Sequence, residues 1–354
     1  MKNIIQINKL RSFLKTTIFI FLISIKTILT AQKAPHYASD PHLSPEVKKF
    51  LNPLNAGGLP VESLSVEDAR NVLTGAQAAF KVDISGIEES EKTITQDGYT
   101  VKLNIVRPAG NKEKLPAFIF THGGGWVLGD YPTHKRLVRD LVVASGYAAV
   151  FINYTPSPEA HYPQAINEIY AATKWVSEHG DEINVNGKKL AAVGNSVGGD
   201  MTAALCLMAK EKGGPDIKFQ VLMWPVTDAS FSQASYEMYG TQRFLTSSLM
   251  KWMWDQYTKD HIKRNEIYAS PLQASVEQLK GLPPALILVA ENDILRDEGE
   301  AYGRKLEEAR VTVTSVRFNG TIHDFGLLNG LAETSQVSGL IELTAAQLRK
   351  YLNF

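Results

Sequence analysis

A hydroxyl becomes a useful nucleophile at neutral pH only beside a base, and the base needs an acidic partner to fix its tautomer. One serine in the sequence stands where that chemistry could run. The run Leu190-Ala191-Ala192-Val193 leads into Gly194-Asn195-Ser196-Val197-Gly198, and Gly199 and Asp200 begin a helical stretch. In a strand–turn–helix setting, G-x-S-x-G lifts the serine above a sheet on a sharp turn, with glycines two positions either side leaving room for it. The next helix points its N-terminus at the site and favours negative charge developing there. Ser196 is therefore the predicted nucleophile.

Its partners should come later, in the order acid, then histidine. The apolar run Ala285–Val289 is followed by Glu291-Asn292-Asp293, which puts Asp293 just past a strand's C-terminal end, where ligands bind in open parallel sheets. Glu291 is the weaker alternative. Asp297 and Glu298 read as favourable charge at the start of a helix. The chain has eight histidines. His323, in Gly320-Thr321-Ile322-His323-Asp324-Phe325, follows a strand in the right chain order and is the predicted base. His134, His179 and His261 fall on helical stretches, where solvated faces are expected. No H-E-x-x-H or similar spacing calls for zinc.

Acyl transfer also needs donors where the oxyanion forms, and one good donor is worth about 3 kcal/mol. The strand Ala117–Thr121 ends in His122-Gly123-Gly124-Gly125-Trp126. Three glycines expose bare backbone N–H groups, and the N–H of Val197 supplies another donor. A phosphate loop would carry a Lys after its last Gly, and none follows. His122 is expected to anchor the turn rather than act as base.

Strands and helices must position these loops. Strand-like runs at Val101–Val106, Ala117–Thr121, Ala148–Asn153, Leu190–Val193, Phe219–Met223, Ala285–Val289 and Val311–Arg317 alternate with helical periodicity at His134–Ala144, Ala165–Glu178, Asp200–Lys212, Asp297–Ala309 and Ser335–Leu352. Several strands are apolar throughout, as strands covered on both faces should be. The pattern predicts an α/β fold with a mostly parallel central sheet flanked by helices. Residues 32–94 are expected to form an N-terminal lead-in, exposed to about residue 60, and cap helices at Pro45–Leu51 and Val66–Phe80, the second N-capped by Ser65. The catalytic domain is expected from 95 to 354. Between Asp228 and Ile267 an aromatic-rich stretch interrupts the alternation, as a packed helical insertion, as part of a lid or wall over an apolar pocket, or as both together.

Apolar residues make up 44% of 354, enough for a large core. Lys+Arg and Asp+Glu both total 37, which offers no bulk charge for nucleic acid. Cys206 is the single cysteine, so no intrachain disulfide can form, and its apolar neighbours suit a buried small hydrophobe. Lys2, Lys9, Arg11 and Lys15 precede the short apolar run Thr16–Ile25, and a small-residue site ends at Ala31. Residues 1–31 are read as a cleavable signal peptide, with export to the periplasm or medium and no stable membrane insertion afterwards. The run is too short to span a bilayer of roughly 30 Å.

Together, HGGGW at 122–126, GNSVGG at 194–199, NDILRDEGE at 292–300, GTIHDF at 320–325 and NYTPSPEAHYPQA at 153–165 resemble the bacterial hormone-sensitive-lipase-like esterases, from about Thr95 onward. The resemblance implies an α/β-hydrolase fold with a helical cap made from the N-terminal helices and the segment around Asp228–Ile267. It also implies a Ser196–His323–Asp293 triad and an oxyanion hole from Gly123, Gly124 and Gly125, chiefly the last two, with Val197. Short-acyl esters as small-molecule substrates and no cofactor are further implications. Asn195-Ser196-Val197 departs from the commoner Asp-Ser-Ala, and Asp324 replaces a frequent Gly, which bears on specificity rather than on the triad. An amidase or carbohydrate deacetylase would use the same triad, and a ligand-binding receptor on this fold would lack the histidine. The oligomeric state is open, a homodimer included.

Overall fold

A computed structural model describes residues 33–353. Contacts divide the chain into Met1–Lys33 and Ala34–Phe354. The predicted signal peptide lies outside the described residues, and the sheet and its helices belong to the second unit.

One eight-stranded sheet organises that unit, in the order β1-β2-β4-β3-β5-β6-β7-β8. The strands are β1 (Ile87–Gln96), β2 (Tyr99–Pro108), β3 (Leu115–Thr121), β4 (Ala148–Asn153), β5 (Val185–Asn195), β6 (Ile217–Met223), β7 (Ala285–Asn292) and β8 (Val313–Ile322). β1 and β2 form an antiparallel hairpin, β2 pairs antiparallel with β4, and β4, β3 and β5 to β8 run parallel. This is the predicted α/β-hydrolase architecture.

Each central strand feeds both faces because successive side chains point opposite ways. Ile119, Ala192, Leu222 and Ile287 pack with α4 (Gln164–His179), α5 (Val197–Lys212) and α10 (Arg296–Glu308). Phe118, Phe120, Ala191, Val193 and Leu286 pack with α3 (Tyr131–Ser145) and α11 (Ser335–Leu352). Double coverage explains why these strands are apolar throughout. Cys206 lies inside the first layer, buried, and burial pushes its thiol pKa up.

The sheet starts at Ile87, so it reaches into the segment assigned to the lead-in. β1 went unpredicted because it is an edge strand: of its ten residues, Ile94 alone is buried. Its sign was Asp97-Gly98, a two-residue hairpin turn with φ of 50° and 85°. The lead-in is also less exposed than expected. Tyr37, Asp40 and Leu43 are buried, Asp40 pairs with the equally buried Arg243 at 2.7 Å, and Leu43 bridges to Gly320 beside the end of β8. The two expected helices are present as α1 (Pro45–Leu54) and α2 (Val66–Ala78), and Ser65 caps α2 by accepting from Asp68 N–H. The aromatic-rich stretch folds into three short helices, α6 (Ala234–Tyr239), α7 (Ser247–Tyr257) and α8 (His261–Arg264), with a further short helix α9 (Val276–Leu279) before β7.

Candidate active site

The loops at the C-terminal ends of β3, β5, β7 and β8 converge. β5 ends at Asn195, and Ser196 makes the turn into α5 with φ 56° and ψ −124°, a conformation rare for a residue with a side chain. Its N–H donates to Met223 O at the end of β6, which ties the turn to the neighbouring strand. Gly198 shows why the pattern demands glycine. A Cβ there would lie 2.0 Å from Thr121 O, inside the backbone of β3.

Asp293, one residue past β7, accepts from Leu295 N–H through Oδ1 at 3.0 Å. Its Oδ2 lies 2.7 Å from His323 Nδ1. His323, one residue past β8, brings Nε2 to 3.0 Å from Ser196 Oγ. All three side chains are buried. The relay is thus continuous from carboxylate to imidazole to hydroxyl. Burial disfavours the charged imidazole, and the carboxylates of Asp293 and Asp324 outweigh it, so the His323 pKa lies above the ordinary histidine value. Glu291 is turned away from His323. It accepts from Gly320 N–H and lies 3.2 Å from His42 Nδ1.

The glycine loop after β3 faces the serine. The N–H groups of Gly124, Gly125 and Val197 meet no acceptor among the described residues and stay available to a ligand. Gly123 needs correcting as an oxyanion donor: its N–H is spent on Asn195 Oδ1 at 3.0 Å, so it fixes the loop instead. Gly124, at φ 105°, would bring a Cβ to 2.1 Å from Leu128 O. His122 anchors the loop as expected. Its Nδ1 contacts Gly123 O at 2.8 Å, and its ring stacks on Phe151 and Tyr154. Burial pushes its pKa down to about 4, so it is uncharged at neutral pH.

Among the neighbours, one expectation is overturned and two are extended. His134 is fully buried beneath the loop, beside His122 and Phe120, rather than solvated. Glu298 lies in the first turn of α10 as expected, but it is buried and accepts from Thr227 N–H at 2.7 Å, fixing the segment after β6. Asp324 is more than a departure from the family pattern, because its Oδ2 lies 3.8 Å from His323 Nε2. Above the glycine loop, Trp126 stacks on Tyr257 at 4.1 Å and meets Trp254 at 4.6 Å, both from α7. Met253 lies so close that a Cβ on Gly125 would meet its Sδ at 2.1 Å. The aromatic stretch is therefore packed helix and a wall beside the site at once.

A family profile described as alpha/beta hydrolase fold matches residues 118–327. The crystal structure of a thermostable esterase from Pseudomonas putida is 58% identical, superposes with a TM-score of 0.88, and covers 89% of this chain and 99% of its own. Ethyl acetate hydrolase from Pseudomonas putida is 31% identical over 314 residues, 86% of this chain and 98% of its own. The chain belongs to the hormone-sensitive-lipase-like esterases of the α/β-hydrolase fold. As a carboxylesterase it has a broader kinship too. A putative alpha/beta hydrolase, R526, of Acanthamoeba polyphaga mimivirus is 34% identical over 311 residues, 87% of this chain and 88% of its own. In this esterase, no helix among the described residues is long and apolar enough to cross a membrane.

Proposed function

We propose that the esterase hydrolyses small, short-acyl carboxylic esters through an acyl-enzyme on Ser196. The observation that carries this reading is the unbroken contact from Asp293 Oδ2 through His323 to Ser196 Oγ, at 2.7 and 3.0 Å. His323 Nε2 takes the Ser196 proton as Oγ attacks the ester carbonyl. The N–H groups of Gly124, Gly125 and Val197 hold the oxyanion. The C–O bond to the alcohol breaks, and His323 returns the proton to the leaving oxygen. Water then attacks the acyl-enzyme with His323 as base, and the acid departs with Ser196 restored. Asp293 keeps Nδ1 protonated and stabilises the imidazolium.

The short-acyl preference is supported by Met253 and Trp126, which crowd the glycine loop, and by the relative named for ethyl acetate. Ser196→Ala is expected to abolish hydrolysis of p-nitrophenyl acetate and butyrate with circular dichroism unchanged. Retained turnover by that variant overturns the nucleophile. A C2–C12 series of p-nitrophenyl esters checks the acyl range, and a preference for C10 or longer overturns it. Export rests on the basic start and apolar run before Ala31, and mass spectrometry of the mature protein should find Gln32 at its N-terminus.

A further inference from the structure

Asp324 puts another carboxylate into the site. It directly follows His323 and sits at φ 59°, a left-handed conformation that Asp tolerates better than most residues. Its backbone oxygen accepts from Leu327 and Leu328 N–H, which locks the turn. Oδ1 accepts from Trp224 Nε1 at 2.7 Å and from Asn195 Nδ2 at 3.1 Å. Asn195 Oδ1 in turn accepts from Gly123 N–H at 3.0 Å. A buried chain of hydrogen bonds thus joins the end of β6, the His323 turn, the Ser196 turn and the glycine loop. Its polarity is defined at every link. Asn195 must aim its oxygen at an N–H and its nitrogen at a carboxylate, so Asp cannot replace it without opposing two carboxylates. The two departures from the family pattern are therefore one feature, because they touch.

The other oxygen of Asp324 makes no hydrogen bond among the described residues and lies 3.8 Å from His323 Nε2. That nitrogen also faces Ser196 Oγ. Asp293 charges the imidazole from Nδ1, and Asp324 does so from the reacting side. Other charged groups nearby are engaged elsewhere. Glu291 holds Gly320 N–H, Arg296 pairs with Asp297 and donates to Tyr239 Oη, and Glu298 holds Thr227. Asp200, on α5, is fully buried, and burial pushes its pKa well up. Burial keeps His122 and His134, across the site, uncharged at neutral pH.

We propose that Asp324 is a positioning residue of the esterase reaction: it clasps the His323 turn to the Ser196 turn through Asn195, and its free oxygen stabilises the imidazolium formed during attack. This rests on the triad reading of Ser196, His323 and Asp293. Asp324→Asn tests the charge, since an amide oxygen can still accept from Trp224 and Asn195. Its kcat/KM profile for p-nitrophenyl acetate should keep its shape while the acid limb moves to lower pH. Removing one carboxylate makes His323 easier to deprotonate, so the base survives into more acid solution. Asn195→Asp should lower kcat/KM by roughly tenfold or more, because it opposes two buried carboxylates. Combining it with Asp324→Asn restores an amide opposite a carboxylate and should recover most of the loss. An unmoved acid limb in Asp324→Asn, or a double variant no better than Asn195→Asp alone, overturns the proposal. Labelling of wild type by a fluorophosphonate, blocked in Ser196→Ala, keeps the two readings apart. If it fails, the triad is at fault; if it succeeds while the acid limb stays put, only the role of Asp324 falls.

Discussion

Inside the sheet, Phe118, Ile119 and Phe120 of β3, Val193 of β5 and Leu286 to Leu288 of β7 are fully buried in ordinary extended backbone. At the rim beyond the C-terminal ends of β3, β5, β6 and β8, Trp126, Ser196, Trp224 and Asp324 all hold positive φ, two of them with the bulkiest side chain available. Such residues cost on the order of 1–3 kcal/mol each and persist only where the surroundings over-determine them. Burying a large apolar side chain contributes roughly 1.5–3 kcal/mol, so the layers beneath can hold that strain in place. The contrast teaches a division of labour. The interior is built for stability and is replaceable by volume, whereas the rim is built for geometry and is replaceable by almost nothing.

The sharpest way to break that contrast is to alter the rim without altering volume. Asp293→Asn keeps size and shape but lets the amide stabilise the wrong tautomer of His323. We expect kcat to fall on the order of 10⁴-fold, about 5.5 kcal/mol on the barrier, with little change in the urea midpoint. Steady-state rates and urea titration on one preparation decide it, and a loss of stability that matched the loss of rate would erase the division.

How far this was readable from sequence obeys the same division. Ser196, Asp293 and His323 stand out in the sequence because each follows a strand-like run within a few residues, in the order serine, acid, histidine, and the structure sets each one residue past the end of β5, β7 or β8. Gly123 was misjudged because a bare glycine N–H in sequence says nothing about its acceptor, here a side chain on another strand. The clasp at Asp324 was invisible for a similar reason. Its partners Asn195 and Trp224 lie 129 and 100 residues away in the chain. His134 was misplaced because one polar residue on a helix does not reveal which face is buried. β1 was missed because edge strands carry little apolar pattern.

The interior should respond in the opposite sense to the rim. Phe118→Ala removes a fully buried ring from the layer under α3 and α11, and should cost about 3–5 kcal/mol in stability. Activity per folded molecule, measured well below the melting transition, should be unchanged. A rate defect that survived correction for the folded fraction would show that the core also tunes the site. Between the two regions stands Asp130, the N-cap of α3 directly after the glycine loop. Its side chain accepts from Thr133 N–H, and Thr133 Oγ1 lies 2.9 Å from Asp130 N. Asp130→Ala should cost about 1 kcal/mol, read as a lower urea midpoint. A much larger drop in kcat than in stability would place this cap on the rim's side.

The smallest effect sharpens the comparison most, because it concerns strain that serves no site. Arg310 holds φ 64° just past the C-cap of α10, where Arg310 N–H donates to Glu307 O and Val311 N–H to Leu306 O. Its side chain is exposed. Helix α10 starts beside Asp293 and runs for 13 residues, about 20 Å, so Arg310 lies a helix length from the chemistry. The left-handed conformation costs a non-glycine residue roughly 1–2 kcal/mol, and glycine adds back about 0.5–1 kcal/mol of chain entropy in the unfolded state. Arg310→Gly should therefore raise stability by about 0.5 kcal/mol with kcat unaltered. Trp126→Gly, which relieves the same kind of strain, should lower both, since it deletes the ring that packs on Trp254 and Tyr257. If relief at position 310 brought no gain, positive φ would be a poor measure of stored strain in this fold, and the meaning given to Ser196, Trp224 and Asp324 would weaken with it.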